Sequence, residues 1–192
     1  MIFREVEDRD LISRARKGSL DAYNVLVSRW EKRVFNYLLK LVGNREDALD
    51  LTQDVFLKAH QAIRKLEDDA KFSSWIFRIA HNEAFSLLRK PRRESEMVTD
   101  FAGGDLSGRL YPSETALAVA SALNRLSSEQ REVVTLKIYE GFKFEEIADV
   151  LETPVSTIKS RLYSALDVLK TALAPIGARQ YTPYPEKTMG DV

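Results

Sequence analysis

With 29 Lys+Arg set against 29 Asp+Glu in 192 residues, 44% of them hydrophobic, the chain has a globular composition and no formal net charge, and is neither collagen-like nor biased toward disorder. It has no cysteine, which excludes disulfides and thiolate metal sites, and its two histidines, His60 and His81, are too few for a histidine cluster, so no metal or other cofactor is expected. No P-loop, dinucleotide fingerprint, HExxH or nucleophile elbow occurs, no apolar run reaches membrane-spanning length, and the charged start MIFREVEDRD is unlike a signal peptide; these features predict a non-enzymatic, cytoplasmic protein that does not insert into a membrane.

Every predicted element is a helix, so the expected fold is all-α: two small helical domains joined by a flexible linker. A first helix covers Val6 to Lys17 and stops at Gly18. Ser19 caps a second, whose Ala22, Tyr23, Leu26, Trp30, Val34, Leu38 and Leu41 keep to one stripe until Gly43. Asn44 caps a third, with Ala48, Leu51, Val55, Ala59 and Ile63 facing inward. Lys65 to Lys71 reads as a polar loop, and a fourth helix runs from Ser73 or Ser74 to Arg89, with Ile76, Ile79 and Leu87 on its core side and Pro91 closing a domain of residues 1–91.

Residues 92–113 bring glycines, charges and few core formers, the composition of a linker. Residues 114–174 then form a second domain. A helix begins at Ser113, and its Leu117, Val119, Ala120, Leu123 and Leu126 pack under the rest of this domain. Ser127 and Gln130 have capping-box spacing before a helix whose Val133, Val134, Leu136 and Ile138 form a buried face, and Gly141 ends it. Phe144 to Leu151 is a short amphipathic helix with Ile147, Ala148 and Leu151 inward; Thr153-Pro154 breaks it and starts the last helix. Two helices across so short a turn read as a helix-turn-helix. Its second helix is anchored by Ile158, Leu162, Leu166 and Leu169 and presents Ser156, Thr157, Lys159, Ser160, Arg161, Tyr163 and Ser164 to major-groove edges and phosphates. A plain helical hairpin with a solvated basic face would share this pattern. Residues 175–192, with three prolines, read as a mobile tail.

The neutral total hides an asymmetry. Residues 1–95 carry 19 Lys+Arg against 15 Asp+Glu, and residues 96–192 carry 10 against 14, so the half with the helix-turn-helix is acidic and should bind DNA poorly by itself. Two surfaces of the basic half stand out. Asp47, Asp50 and Asp54, with Gln53, line one side of the third helix, either as a solvated face or as a partner surface. On the fourth helix Trp75, Arg78, Asn82, Phe85 and Arg89 share a side that begins near Phe72 and Phe77 and ends in the basic cluster Arg89, Lys90, Arg92 and Arg93. Aromatic stacking platforms, amides and cations together suit single-stranded nucleic acid, although core aromatics with a solvated helix end would read the same way.

Four blocks in order, DAYNVLVSRWEKRVFNYL, NREDALDLTQDVFLKAHQAI, FSSWIFRIAHNEAFSLLRKPRR and ALNRLSSEQREVVTLKIYEGFKFEEIADVLETPVSTIKSRLYSAL, resemble the bacterial extracytoplasmic-function sigma factors of the two-domain type over residues 8 to 172. The resemblance implies core RNA polymerase, promoter DNA and an anti-sigma factor as partners, the −35 element being read as duplex and the −10 element as a single strand. It implies polymerase contacts at Asp50, Gln53, Asp54 and Leu57. It also implies −10 contacts at Phe72, Trp75, Arg78, Asn82 and Arg89, with Asn82 beside the pocket for a flipped base and Leu66 to Lys71 forming that pocket's rim. A pocket that holds an extruded base turns binding energy into strand opening without ATP. The −35 contacts it implies are Arg131, on phosphate, with Ser156, Thr157, Lys159, Ser160, Arg161, Tyr163 and Ser164.

There are three departures from the family pattern: Lys143 replaces a Ser or Thr N-cap, Ser164 and Leu166 replace arginines common at those sites, and the tail extends beyond the usual end. Two other functions would share parts of the pattern. A self-sufficient helix-turn-helix regulator would not need the Trp75 to Arg93 block, and a sigma mimic that titrates an anti-sigma factor would not need Asn82, Lys159 and Arg161.

Overall fold

In the computed structural model, which describes residues 6–89 and 114–180, the regular elements are helices and no strand occurs among the described residues. The caps set where the helices begin and end. In the N-terminal half, α1 (Asp8–Arg16) stops at Gly18, whose φ of 95° only glycine adopts easily. The Ser19 hydroxyl accepts the Ala22 N–H at 3.3 Å to open α2 (Leu20–Val42), which Gly43 ends in the left-handed region. Asn44 Oδ1 accepts the N–H groups of Glu46 and Asp47 to open α3 (Arg45–Ala62).

The loop before α4 (Phe72–Leu88) is more ordered than a polar linker: two short 3-10 turns, Ile63–Lys65 and Asp69–Lys71, flank Leu66, whose side chain is buried. The second turn runs directly into α4, so the helix starts at Phe72 rather than at the serines after it. Helix α2 is the spine of this half, with α1, α3 and α4 packed around it. Tyr37, which the simple stripe along α2 does not include, is fully buried there against Phe77.

The second half contains α5 (Glu114–Leu123), α6 (Ser128–Val134), α7 (Phe144–Leu151) and α8 (Val155–Gln180). The predicted capping box is present: Ser127 Oγ accepts the Gln130 N–H at 3.2 Å, and Gln130 Oε1 accepts the Ser127 N–H at 3.0 Å. Leu117, expected to pack, is exposed, while Ala122, Leu123 and Leu126 carry the contact. Ile138 is also corrected. Residues Thr135–Tyr139 form a π-helical stretch, whose wider turn shifts the side-chain phase, so Leu136 stays buried and Ile138 is 61% exposed.

On α8 the anchoring stripe is Ile158, Leu162 and Ala165 with Leu169 beside them; Leu166, one position off the 3.6-residue period, is exposed. Helix α8 continues through residues 175–180, so helix replaces the start of the expected tail. The predicted linker 92–113, Lys90, Arg92 and Arg93 of the basic cluster, the Pro91 boundary and residues 181–192 lie outside the described residues.

The two halves touch through α4 and α7, and between α2 and the α6 segment. Phe142 sets its ring edge-on to Phe77 with centroids 5.0 Å apart, which joins the two cores into one apolar cluster.

Candidate nucleic-acid interface

Helix α3 turns one face to its neighbours through Ala48, Leu51, Val55 and Ala59 and leaves Asp50, Gln53, Asp54 and Leu57 exposed on the other. These follow i, i+3, i+4, i+7 spacing, so they form one continuous strip. Leu57 is 59% exposed at its end, a large apolar side chain framed by acids and an amide. Asp47 lies at the start of the strip and is only partly exposed.

On α4 the structure separates residues that the sequence groups together. Phe72 is 3% exposed: its ring packs edge-on against Trp30 at 5.5 Å and tilted against Trp75 at 5.8 Å. It therefore supports Trp75 from below and does not itself face a ligand. Trp75 is half-buried, and Arg78 and Phe85 are partly exposed along the same side, Phe85 being stacked on His81 at 4.5 Å. Asn82 and Arg89 are exposed, with Arg89 Nε donating back to the Phe85 carbonyl at 3.2 Å. A cavity of about 560 Å³ opens between this helix and the preceding loop, lined by Leu66, Asp68, Lys71, Ser74, Trp75 and Arg78 among others. That is room for one planar ring of nucleobase size with polar groups around it.

Asp149, of α7, also lines this cavity. Lys71 Nζ lies 3.5 Å from the Asp149 carboxylate, and Arg78 Nη1 lies 4.0 Å from Glu152, the residue after α7. Deeper in the same interface Arg33 pairs with Glu140 at 3.0 Å, and the Glu132 carboxylate accepts from the Tyr37 hydroxyl at 2.5 Å and contacts His81 Nδ1 at 2.7 Å. In each of these ion pairs the basic group belongs to the N-terminal half and the acid to the C-terminal half. The opposite charge of the two halves is thus realised as contacts, two of which fall on Lys71 and Arg78 of the cavity. Burial, and then the Glu132 charge, push the Tyr37 phenol well above its ordinary value.

None of these acids was singled out from the sequence. The signal for Glu132 was its place one turn before Leu136 on the buried face of α6, where a charge needs a partner.

The helix-turn-helix is α7, a turn and α8. Glu152 takes the left-handed conformation at φ 49° to end α7, and the Pro154 carbonyl accepts the N–H groups of Thr157 and Ile158 at 2.9 and 3.1 Å to begin α8. At Lys143 the cap is half-complete. The Glu146 carboxylate accepts the Lys143 N–H at 2.7 Å, but an ammonium cannot return the bond as Ser or Thr would. Ser156, Lys159, Ser160, Tyr163 and Ser164 are exposed on α8, with Thr157 and Arg161 partly so. Ser164 is already engaged, its hydroxyl accepting from Gln130 Nε2 at 2.9 Å, and Lys159 Nζ sits 5.4 Å from the centre of the Phe144 ring. Arg131 is half-buried in α6, and burial lowers its pKa.

Residues 26–94 match the family model for sigma-70 region 2, and residues 116–169 match that for sigma-70 region 4. The chain belongs to the sigma-70 family. Helix α4 lies within the region 2 match, and α7, the turn and α8 as far as Leu169 lie within the region 4 match.

This sigma-70 chain is 28% identical over 186 residues to the ECF RNA polymerase sigma-E factor of Haemophilus influenzae, covering 90% of this chain and 98% of that one. It is 28% identical over 184 residues to the RNA polymerase sigma-H factor of Pseudomonas aeruginosa, covering 88% and 95%. Its fold is similar to that of CnrH in complex with the cytosolic domain of CnrY (TM-score 0.67, 27% identity, 88% and 97% covered). It is also similar to the sigma factor RpoE in complex with the anti-sigma factor NepR from Bartonella quintana (TM-score 0.66, 27% identity, 81% and 98% covered). Among the described residues no helix is long and apolar enough to cross a membrane, and no group of acidic, His or Cys side chains could hold a metal.

Proposed function

We propose that this chain is an RNA polymerase sigma factor of the extracytoplasmic-function type, which directs core polymerase to its promoters and starts transcription there. It works in the cytoplasm, where polymerase and promoter DNA are, and it is held in reserve by an anti-sigma factor of the kind named for the solved relative. Polymerase docks on the α3 strip: Leu57 supplies the apolar contact and Asp50, Gln53 and Asp54 the polar ones. Trp75 stacks on the −10 strand, Arg78 and Arg89 take its phosphates, and Asn82 reads the extruded base at the cavity. On duplex −35 DNA, Arg131 positions while Ser156, Thr157, Lys159, Ser160, Arg161, Tyr163 and Ser164 face the groove. In this reading residues 1–91 dock and melt, 92–113 connect, and 114–174 read the −35 element.

One observation carries this reading. A single chain presents a nucleobase-sized cavity lined by Trp75 and Arg78, with Asn82 exposed one turn further along the same helix, and, on a separate helix, an outward row from Ser156 to Ser164. A self-sufficient helix-turn-helix regulator needs only the second of these. Transcription from a library of genomic fragments by core polymerase, with and without the chain, tests it. Discrete new start sites that require the chain are expected, and none would appear if the chain were a mimic that only captures an anti-sigma factor.

A further inference from the structure

The segment between α3 and α4 is a wall with open space on both sides. Leu66, Glu67, Asp68 and Lys71 line the 560 Å³ cavity beside Trp75. Glu67, Asp68, Asp69 and Ala70 line a second cleft of about 580 Å³ on the opposite side, against the start and end of α1. Within the Leu66–Lys71 stretch only the Leu66 side chain is buried, so packing anchors the wall at one end. The rest depends on hydrogen bonds. Asp68 Oδ1 accepts the Ala70 N–H at 2.9 Å and its carbonyl accepts the Lys71 N–H at 3.0 Å, but both bonds are internal to the loop and cannot fix it to the body of the protein.

The end next to α4 is tied by the Ser74 hydroxyl, which donates to the Lys71 carbonyl at 3.1 Å, and by the exposed Lys71–Asp149 pair; the Leu66–Asp69 stretch is tied by Arg16. Arg16, in the last turn of α1, donates through Nη2 to both the Leu66 carbonyl and the Asp69 carboxylate, residues 50 and 53 positions away. Arg16 and Asp69 are 28% and 17% exposed, so solvent screens the pair only partly. A planar guanidinium holds a carbonyl and a carboxylate in a set mutual orientation, which a lysine ammonium on a flexible stem does not. Gly18, in the left-handed region two residues on, turns the chain away and leaves the Arg16 side chain against the loop.

We propose that Arg16 is a positioning residue for base selection in the −10 element: it touches no DNA, and it holds the Leu66–Lys71 wall at the distance from Trp75 and Asn82 that an extruded base requires. This rests on the reading of that wall as the rim of the base pocket. A rim free to move by about an ångström would still admit a base but would discriminate poorly among bases.

The test uses the full chain with core polymerase on promoters that differ only at the extruded position, and reads the ratio of initiation between the preferred base and the other three. R16Q should lower this ratio about tenfold, while polymerase affinity and −35 affinity remain those of the wild type. R16K should restore part of the ratio, since charge returns without the fork. D69N, on the exposed loop, removes one of the two acceptor charges and should give a smaller fall in the same direction, which serves if R16Q folds poorly. An unchanged ratio in R16Q and D69N overturns the proposal, as does a parallel loss of polymerase and −35 binding. N82A and D68A separate the two levels. If neither lowers the ratio, the pocket reading itself fails; if both do and the Arg16 variants do not, only the role of Arg16 fails.

Discussion

The phenol of Tyr37 and the carboxylate of Glu132, 95 residues apart in the chain, meet at 2.5 Å in the interior between the two halves, where Glu132 is 2% exposed. His81 completes the site from α4. Removing the carboxylate strands the buried Tyr37 hydroxyl and takes a partner from the part-buried His81 ring, which costs more than a typical hydrogen bond contributes. Glu132→Ala should destabilise the chain by about 1–3 kcal/mol, and Tyr37→Phe by about 1 kcal/mol. Urea unfolding of both singles and the double variant is the measurement; coupling below about 0.5 kcal/mol would mean that the bond does not join the halves energetically.

The same bond sets a dependence on alkaline pH. Folded Tyr37 holds its proton well above the ordinary tyrosine value, through burial and then the Glu132 charge, whereas the unfolded chain releases it near pH 10. The unfolded state therefore binds fewer protons there, and stability falls as pH rises past about 10. Tyr23 and Tyr139, raised by burial, act in the same direction, while Lys40, lowered by burial, acts in the opposite one. Tyr37→Phe isolates one contribution: its stability should decline less steeply between about pH 9.5 and 11 than that of the wild type. Parallel slopes would place the phenol's shift elsewhere.

Lys71 and Arg78 face Asp149 and Glu152 at the cavity beside Trp75, so under the proposed −10 role of that face the free chain should hold its own acids where DNA phosphates would bind. The isolated protein is expected to bind promoter duplex only in the non-specific range, roughly 10⁻⁴ to 10⁻⁶ M at physiological salt, and holoenzyme orders of magnitude tighter. Both pairs are largely exposed, so each is worth at most about 1 kcal/mol. The double variant Asp149→Asn/Glu152→Gln should raise affinity of the isolated chain for −10 single strand, by up to about fivefold for each pair removed. Fluorescence anisotropy at fixed ionic strength reads all three values. Nanomolar, sequence-specific binding by the wild-type chain alone would support a self-sufficient regulator instead.

On α8 the exposed Ser160 and Tyr163 lie on the outward face, while Arg131 is half-buried on α6. Substituting Ser160 and Tyr163 should change the preferred −35 sequence, because base-edge contacts specify. Arg131→Ala should weaken binding about equally on all sequences, because phosphate contacts position. Selection from a randomised −35 library distinguishes the two. An unchanged consensus for the Ser160/Tyr163 variant would mean that a different face of α8 meets the groove.

Local physics was legible in the residues. Ser19, Asn44 and Ser127 are caps whose hydrogen bonds span two or three residues, and Gly18, Gly43 and Gly141 turn the chain through positive φ, so the helix boundaries they set needed no tertiary information. The α3 strip and the outward row of α8 follow from the 3.6-residue period for the same reason. Ile138 was misplaced because that period changes within a π-helical stretch, and Leu166 because a neighbouring alanine fills the stripe. The sequence also determined that the halves carry opposite charge. Only the tertiary structure decided where that charge is spent: Glu132 in the interior with Tyr37 and His81, and Asp149 and Glu152 on Lys71 and Arg78. Those are contacts between residues tens of positions apart, and no periodicity encodes them; they exist because packing α4 on α7 brings one helix's cations to the other's acids.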